Sequence, residues 1–155
     1  MDAEGELHIE LRQQQDYRFA ARFDNPVIPA LITDEGAPLG GDAGPSPAQL
    51  LGTAVANCLG SSLLFAMRKF GNEPGPLRLA ATVQISRNEQ RRLRISNILV
   101  ELHLGVEAGA VQRLDRILAQ FEDFCIVTQS VRAAIPVAVR VLDSRGSLLH
   151  ASPAQ

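Results

Sequence analysis

The residues of this chain with the most chemistry to offer are two cysteines, Cys58 in "VANCLGSS" and Cys125 in "FEDFCIVTQSV"; there is no third. A thiolate attacks a peroxide oxygen to give a sulfenic acid, and a second thiol can condense with that acid to form a disulfide. Two cysteines in a reducing compartment are either inert core thiols or a reversible, reactive pair. Cys58 falls in the middle of an apolar helical stretch, beyond the reach of the helix N-terminal dipole. Such a thiol is inert unless a cation is delivered to it, and Arg18 and Arg22 are the candidates to supply one. Cys125 follows Glu122 and Asp123, whose charges disfavour a thiolate. The division of labour expected from this is attack by Cys58 and capture by Cys125. The two lie far apart in sequence, so only the fold can join them.

The bulk composition narrows the alternatives. The chain has 155 residues, enough for one domain with a real core, and is 46% hydrophobic and 21% charged with a net charge of −2. Mild acidity argues against nucleic acid or an anionic membrane as partner. The N-terminus "MDAEGELHIE" is acidic without an apolar segment and does not read as a signal peptide. No apolar run is expected to approach the ~18 residues that span a bilayer. These features predict a cytoplasmic protein. His8, His103 and His150 are scattered and share no ligand spacing with the cysteines, so no metal site is expected.

The elements that must position the thiols follow from patterning. "ELHIELRQQQDYRFAARFD" alternates as two short strands, with Tyr17, Phe19, Ala21 and Phe23 on one face and Arg18, Ala20, Arg22 and Asp24 on the other. "TDEGAPLGGDAGPSP" is loop by composition. Ser46 as N-cap and Pro47 at the first position open a helix that Gly71 ends. This helix is nearly free of charge and should be buried nearly all round. Gly52 and Gly60 inside it cost roughly 1 kcal/mol each against alanine; close approach by another helix is the expected reason. Two long antiparallel strands turn around Asn88 to Arg91, with the alternation of the second slipping near Ser96. Val111, Leu114, Ile117, Leu118 and Phe121 recur at helical spacing and predict a second helix leading to Cys125. "IPVAVRVLD" reads as a strand, "SRG" as a turn, and the remainder as a polar tail. The whole, residues 1–155, reads as one α+β domain.

"PSPAQLLGTAVANCLGSSL", followed by two strands, a helix and "FCIVTQSVRAAIPVAVRV", resembles the OsmC/Ohr family of osmotically inducible and organic hydroperoxide resistance proteins. The resemblance runs from about Tyr17 to Asp143. It implies antiparallel sheets wrapped around two central helices in an interlocked homodimer, with the thiols near the interface. It further implies a thiol peroxidase acting on organic hydroperoxides in oxidative-stress defence. The small-molecule peroxide would meet Cys58 as nucleophile, Cys125 as resolving thiol, and an arginine as activator, Arg18 before Arg22. No bound cofactor is implied; an external dithiol of lipoyl type is the reductant. Two positions depart from the pattern. Ala48 stands where catalytic members carry the glutamate that orients the activating arginine, and Ile126 stands where a proline follows the second cysteine. The first departure predicts a slow Cys58 and leaves open a second function, a catalytically weak module that binds a hydrophobic ligand or partner at the dimer interface. The second predicts that the helix runs through Cys125 without a break. Gln49 points away around the helix and is a poor substitute for the acid.

The surroundings of Cys125 admit two readings each. Phe121 and Phe124 are core residues or the wall of an apolar substrate pocket. Gln129, with Thr128 and Ser130, either hydrogen-bonds near a bound peroxide or satisfies backbone groups at a helix end. The basic cluster "RNEQRRLR" is a solvated turn, lacking the interleaved aromatics that nucleic acid would stack on.

Overall fold

The computed structural model describes residues 4–154. The chain divides into two compact units, residues 1–50 and residues 51–155.

The first unit is a small antiparallel sheet with a glycine-rich loop. Its strands β1 (Ile9–Gln15), β2 (Arg18–Phe23) and β3 (Leu31–Thr33) lie in that order, with Arg22 opposite Glu10 and Phe19 opposite Thr33. Asp16, in the tight β1–β2 turn, adopts a left-handed conformation, which aspartate tolerates better than most residues. The loop after β3 folds back so closely that two of its glycines have no alternative. A Cβ on Gly40 would stand 2.1 Å from the Glu35 carbonyl oxygen, and one on Gly44 would stand 2.1 Å from that of Ile32.

A helix, α1 (Pro47–Lys69), begins in the first unit and continues into the second. Ser46 and Gln49 form a reciprocal capping box: Ser46 N–H donates to Gln49 Oε1 at 2.8 Å and Gln49 N–H to Ser46 Oγ at 3.4 Å. At the far end Gly71 takes a positive φ, and Asn72 N–H reaches back to the Met67 carbonyl at 3.0 Å, the hydrogen-bond pattern of a Schellman stop. By length and composition α1 is apolar enough to cross a membrane, which corrects the expectation that no segment approaches that limit; half of its most apolar window is buried within the protein.

The second unit is built on a four-stranded sheet, β4 (Arg78–Arg87), β5 (Leu93–His103), β6 (Val137–Leu142) and β7 (Leu148–Ser152), paired in that order. The slip foreseen in β5 is a bulge: Gln84 faces Asn97 and Ile85 faces Ile95, so Ser96 has no partner of its own. β5 and β6 are parallel, because the long crossover between them returns the chain to the same edge; the other pairs are antiparallel. β7 replaces the expected polar tail, since its edge pairing with β6 needs little apolar sequence. The core joins Val55, Leu59, Leu63 and Met67 of α1 to Ile98, Val100 and Leu102 of β5 and Val137, Val139 and Val141 of β6.

The sheet, not another helix, accounts for the glycines of α1. A Cβ on Gly52 would come within 2.6 Å of Val83 Cγ2, and one on Gly60 within 2.6 Å of Leu79 Cδ1, both on β4. The stiff valine has less freedom to yield than the leucine. Gly52→Ala is therefore expected to destabilise the fold by about 1–2 kcal/mol despite its better helix propensity. Removing the obstruction with Val83→Ala in the same chain should cancel part of that loss, a coupling that a double-mutant denaturation cycle measures directly.

The crossover between β5 and β6 is more broken than the apolar spacing predicted. It contains a helix α2 (Leu114–Leu118), a 3-10 turn at Phe121–Phe124 and a helix α3 (Ile126–Arg132). Ile117, Leu118 and Phe121 are buried as expected, yet the backbone between them is not continuous helix.

Candidate active site

Cys58 and Cys125 meet. Cys58 sits at the centre of α1, and Cys125 is the residue between the 3-10 turn and α3, with extended backbone angles of φ −83° and ψ 95°. The chain thus restarts a helix at Cys125 even without the proline, contrary to the expectation drawn from Ile126. Cys125 achieves the break by capping: its Sγ accepts the Thr128 N–H at 3.4 Å and lies 2.9 Å from Thr128 Oγ1. Both cysteines are free thiols.

Their environments differ. Cys125 is fully buried, whereas Cys58 is partly exposed. Burial pushes the Cys125 thiol up to about 11, and a hydrogen bond with Cys58 pushes the same way, against the weaker opposing contacts of Thr128. The direction agrees with the sequence reading but the cause does not. Glu122 and Asp123 are not what holds the proton on Cys125; desolvation and the other thiol are. At pH 8 an alkylating agent should therefore modify Cys58 well before Cys125, and mapping the labelled peptides against time checks the order.

Glu122 faces away, into a buried polar network that no sequence pattern marked. Its carboxylate pairs with Arg132 of α3, accepts His150 Nε2–H at 2.7 Å and accepts Ser152 Oγ–H at 3.1 Å, both from β7. Arg132 also donates to the Val137 carbonyl at 3.3 Å. Burial alone would raise the Glu122 carboxyl, but Arg132, His150 and Ser152 outweigh it and hold the group below the usual carboxylate range. The network ties the Cys125 segment to the sheet edge. No sequence signal marks its members, because His150 and Ser152 fall in what reads as a polar tail.

The remaining candidates divide. Phe121 is wholly buried, edge-on to His150 at 5.7 Å, so it supports the segment from within the core and offers no wall to a substrate. Phe124 is 58% exposed, and Ile126 beside it 66%. Gln129 donates through Nε2 to the Glu122 carbonyl at 3.0 Å, and Ser130 Oγ to the Ile126 carbonyl at 2.8 Å; both satisfy backbone groups. Arg18 and Arg22 belong to the first unit. Arg22 is exposed on β2. Arg18 Nε stands 3.8 Å from Asp34 Oδ2, and Asp34 is buried.

Taken together, these features make a pair of neighbouring thiols: a partly exposed one on a central helix and a fully buried one whose proton burial holds in place. A family model of OsmC-like proteins matches residues 40–140, a span that includes both cysteines, and the chain belongs to that family. Among solved structures it is similar to an OsmC-like protein of unknown function from Vibrio cholerae, at 13% identity over 89% of this chain and 99% of that one, with a TM-score of 0.74. It is also similar to an organic hydroperoxide resistance protein from Elizabethkingia anophelis, at 15% identity over 91% and 98% of the two chains, with a TM-score of 0.69. The organic hydroperoxide resistance protein OhrB of Bacillus subtilis matches at 16% identity over 90% and 99%, with a TM-score of 0.65. At these identities the likeness is one of fold. No curated protein matches the sequence.

Proposed function

We propose that this protein is a thiol peroxidase that reduces organic hydroperoxides through Cys58 and Cys125. The observation that carries the reading is the contrast between the two touching thiols, one reachable and one sealed and protonated. In the first step the Cys58 thiolate attacks the terminal peroxide oxygen, the O–O bond breaks, and the alkoxide leaves to be protonated as an alcohol. Cys58 is now a sulfenic acid. Cys125 then attacks that sulfur, its proton leaves with the sulfenic hydroxyl as water, and a disulfide forms. An external dithiol of lipoyl type returns both thiols by exchange and leaves as its own cyclic disulfide. Family membership, and two structural relatives named as organic hydroperoxide resistance proteins, support the substrate class.

The test is turnover of cumene hydroperoxide with dihydrolipoamide as reductant. Sustained consumption of peroxide, faster than with hydrogen peroxide, is the expected result. Failure of cumene hydroperoxide to oxidise Cys58 at all would favour a binding module on the same fold.

We further read the chain as a homodimer. Ala54, Asn57, Ser61 and Phe65 form one exposed stripe along α1, and Phe65 is 62% exposed on an otherwise apolar helix. Light scattering at micromolar concentration should give twice the 16.7 kDa chain mass; a homogeneous monomer would contradict the assembly.

A further inference from the structure

Ala48 leaves no acid at the position where the resemblance expects one to orient the activating arginine, yet Arg18 is not without a carboxylate. We propose that Asp34 is the positioning residue for Arg18, supplying from the glycine-rich loop the fixed negative charge that position 48 lacks. This rests on the reading of Arg18 as the group that activates the attacking thiol.

The geometry of the first unit carries the inference. Asp34 is 3% exposed, and its oxygens are held by three backbone donors: Glu35 N–H to Oδ1 at 2.9 Å, and Gly41 and Ala43 N–H to Oδ2 at 3.1 Å each. A carboxylate so bound cannot swing. The loop reaches it only because Gly40 is glycine: a Cβ there would stand 2.5 Å from Asp34 Oδ1 as well as striking the Glu35 carbonyl. Arg18 Nε is buried with no hydrogen-bond acceptor among the described residues, and the Asp34 charge at 3.8 Å is what balances it. A Cβ on Gly41 would lie 3.8 Å from Arg18 Nη2, so the guanidinium lies close to the loop. Arg18 remains 40% exposed, beside a cleft of about 280 Å³ that Gln15, Asp16, Asp34 and Gly41 help to line. Asp16 is the other acid there, but it is exposed and takes the Gln15 amide, so it holds nothing in place. The backbone donors, led by Ala43 N–H, outweigh burial and keep the Asp34 carboxyl below the usual carboxylate range, with Arg18 contributing in the same direction. The carboxylate is therefore charged at neutral pH.

The experiment is single-turnover oxidation of Cys58 by cumene hydroperoxide in wild type, Arg18→Ala, Asp34→Asn and the double variant. Both single changes should slow oxidation by about tenfold or more, as misplacement of a catalytic group does. The double variant should be no slower than Arg18→Ala, because the two act as one unit. Asp34→Asn should also move the pH profile of Cys58 alkylation upward, which a loss of loop structure elsewhere would not do, and Ala48→Glu in that background should restore part of the rate. If Arg18→Ala slows oxidation and Asp34→Asn does not, the proposal is overturned while the activation scheme stands. If Arg18→Ala has no effect, the underlying reading of Arg18 fails instead. Should Asp34→Asn disorder the loop, the wild-type Arg18 Nε resonance decides: it should shift on acidification only below the usual carboxylate range, and an invariant resonance overturns the proposal.

Discussion

Replacing Cys125 with serine should leave the first oxidation of Cys58 intact and abolish steady turnover. Once Cys58 has become a sulfenic acid, no neighbouring thiol remains to capture it, and further peroxide carries it to sulfinic acid, which ordinary thiols do not reduce. Peroxide consumption should therefore show a burst that ends at about two equivalents per chain, one for the sulfenic and one for the sulfinic acid, and then stop. Cys58→Ser should eliminate the burst itself. A serine hydroxyl at neutral pH is a far weaker nucleophile than a thiolate, and the loss should be at least about a thousandfold, or about 4 kcal/mol of transition-state stabilisation. The asymmetry between the two variants is the informative result. The opposite pattern, with the burst lost in Cys125→Ser, would reverse the assigned roles. It would also be hard to reconcile with a thiol that burial keeps protonated at neutral pH.

The second large effect is expected at Glu122, which touches neither thiol in the network described. Glu122→Gln leaves Arg132 without its partner in a place where both side chains are largely buried. Breaking one member of a buried pair costs roughly 3–5 kcal/mol, and the lower end applies because Arg132 retains the Val137 carbonyl. For a chain of this length, roughly 3 kcal/mol corresponds to a fall of about 6–12 °C in Tm, read by thermal denaturation at neutral pH. The pH dependence carries its own sign. Folding lowers the Glu122 carboxyl, so its contribution is fully present above the ordinary value of 4.5 and disappears as pH falls through the lowered one. Wild type and Glu122→Gln should accordingly converge in stability under acid conditions. A constant gap down to the acid limb would mean that the lost energy is one of packing and not of charge.

Much of this architecture could be read from residue patterns, and the exceptions have physical reasons. The cap at Ser46, the stop at Gly71 and the bulge at Ser96 are local events, set by side chains within a few residues of one another. The approach of Cys58 to Cys125 came from motif order, since no local rule joins residues so distant. For the glycines of α1, periodicity shows only that something comes close; the β4 positions of Val83 and Leu79 identify it as the sheet and not the helix expected. The break at Cys125 is not legible in the sequence because a sulfur acting as N-cap leaves no conventional capping residue there. The role of Glu122 is hidden for a related reason. Adjacency in sequence suggested that its charge bears on Cys125, whereas the 3-10 turn aims it at Arg132 and His150. Asp34, inside a loop that composition alone identifies, becomes significant only when three backbone donors converge on it.

The most direct measurement is the mass of the intact protein after one equivalent of cumene hydroperoxide, followed by peptide mapping under non-reducing conditions. The account predicts the loss of two hydrogens, no alkylatable thiol, and a single bridged species joining the Cys58 and Cys125 peptides. A gain of one or two oxygens on Cys58 with Cys125 still open to alkylation after unfolding would contradict it.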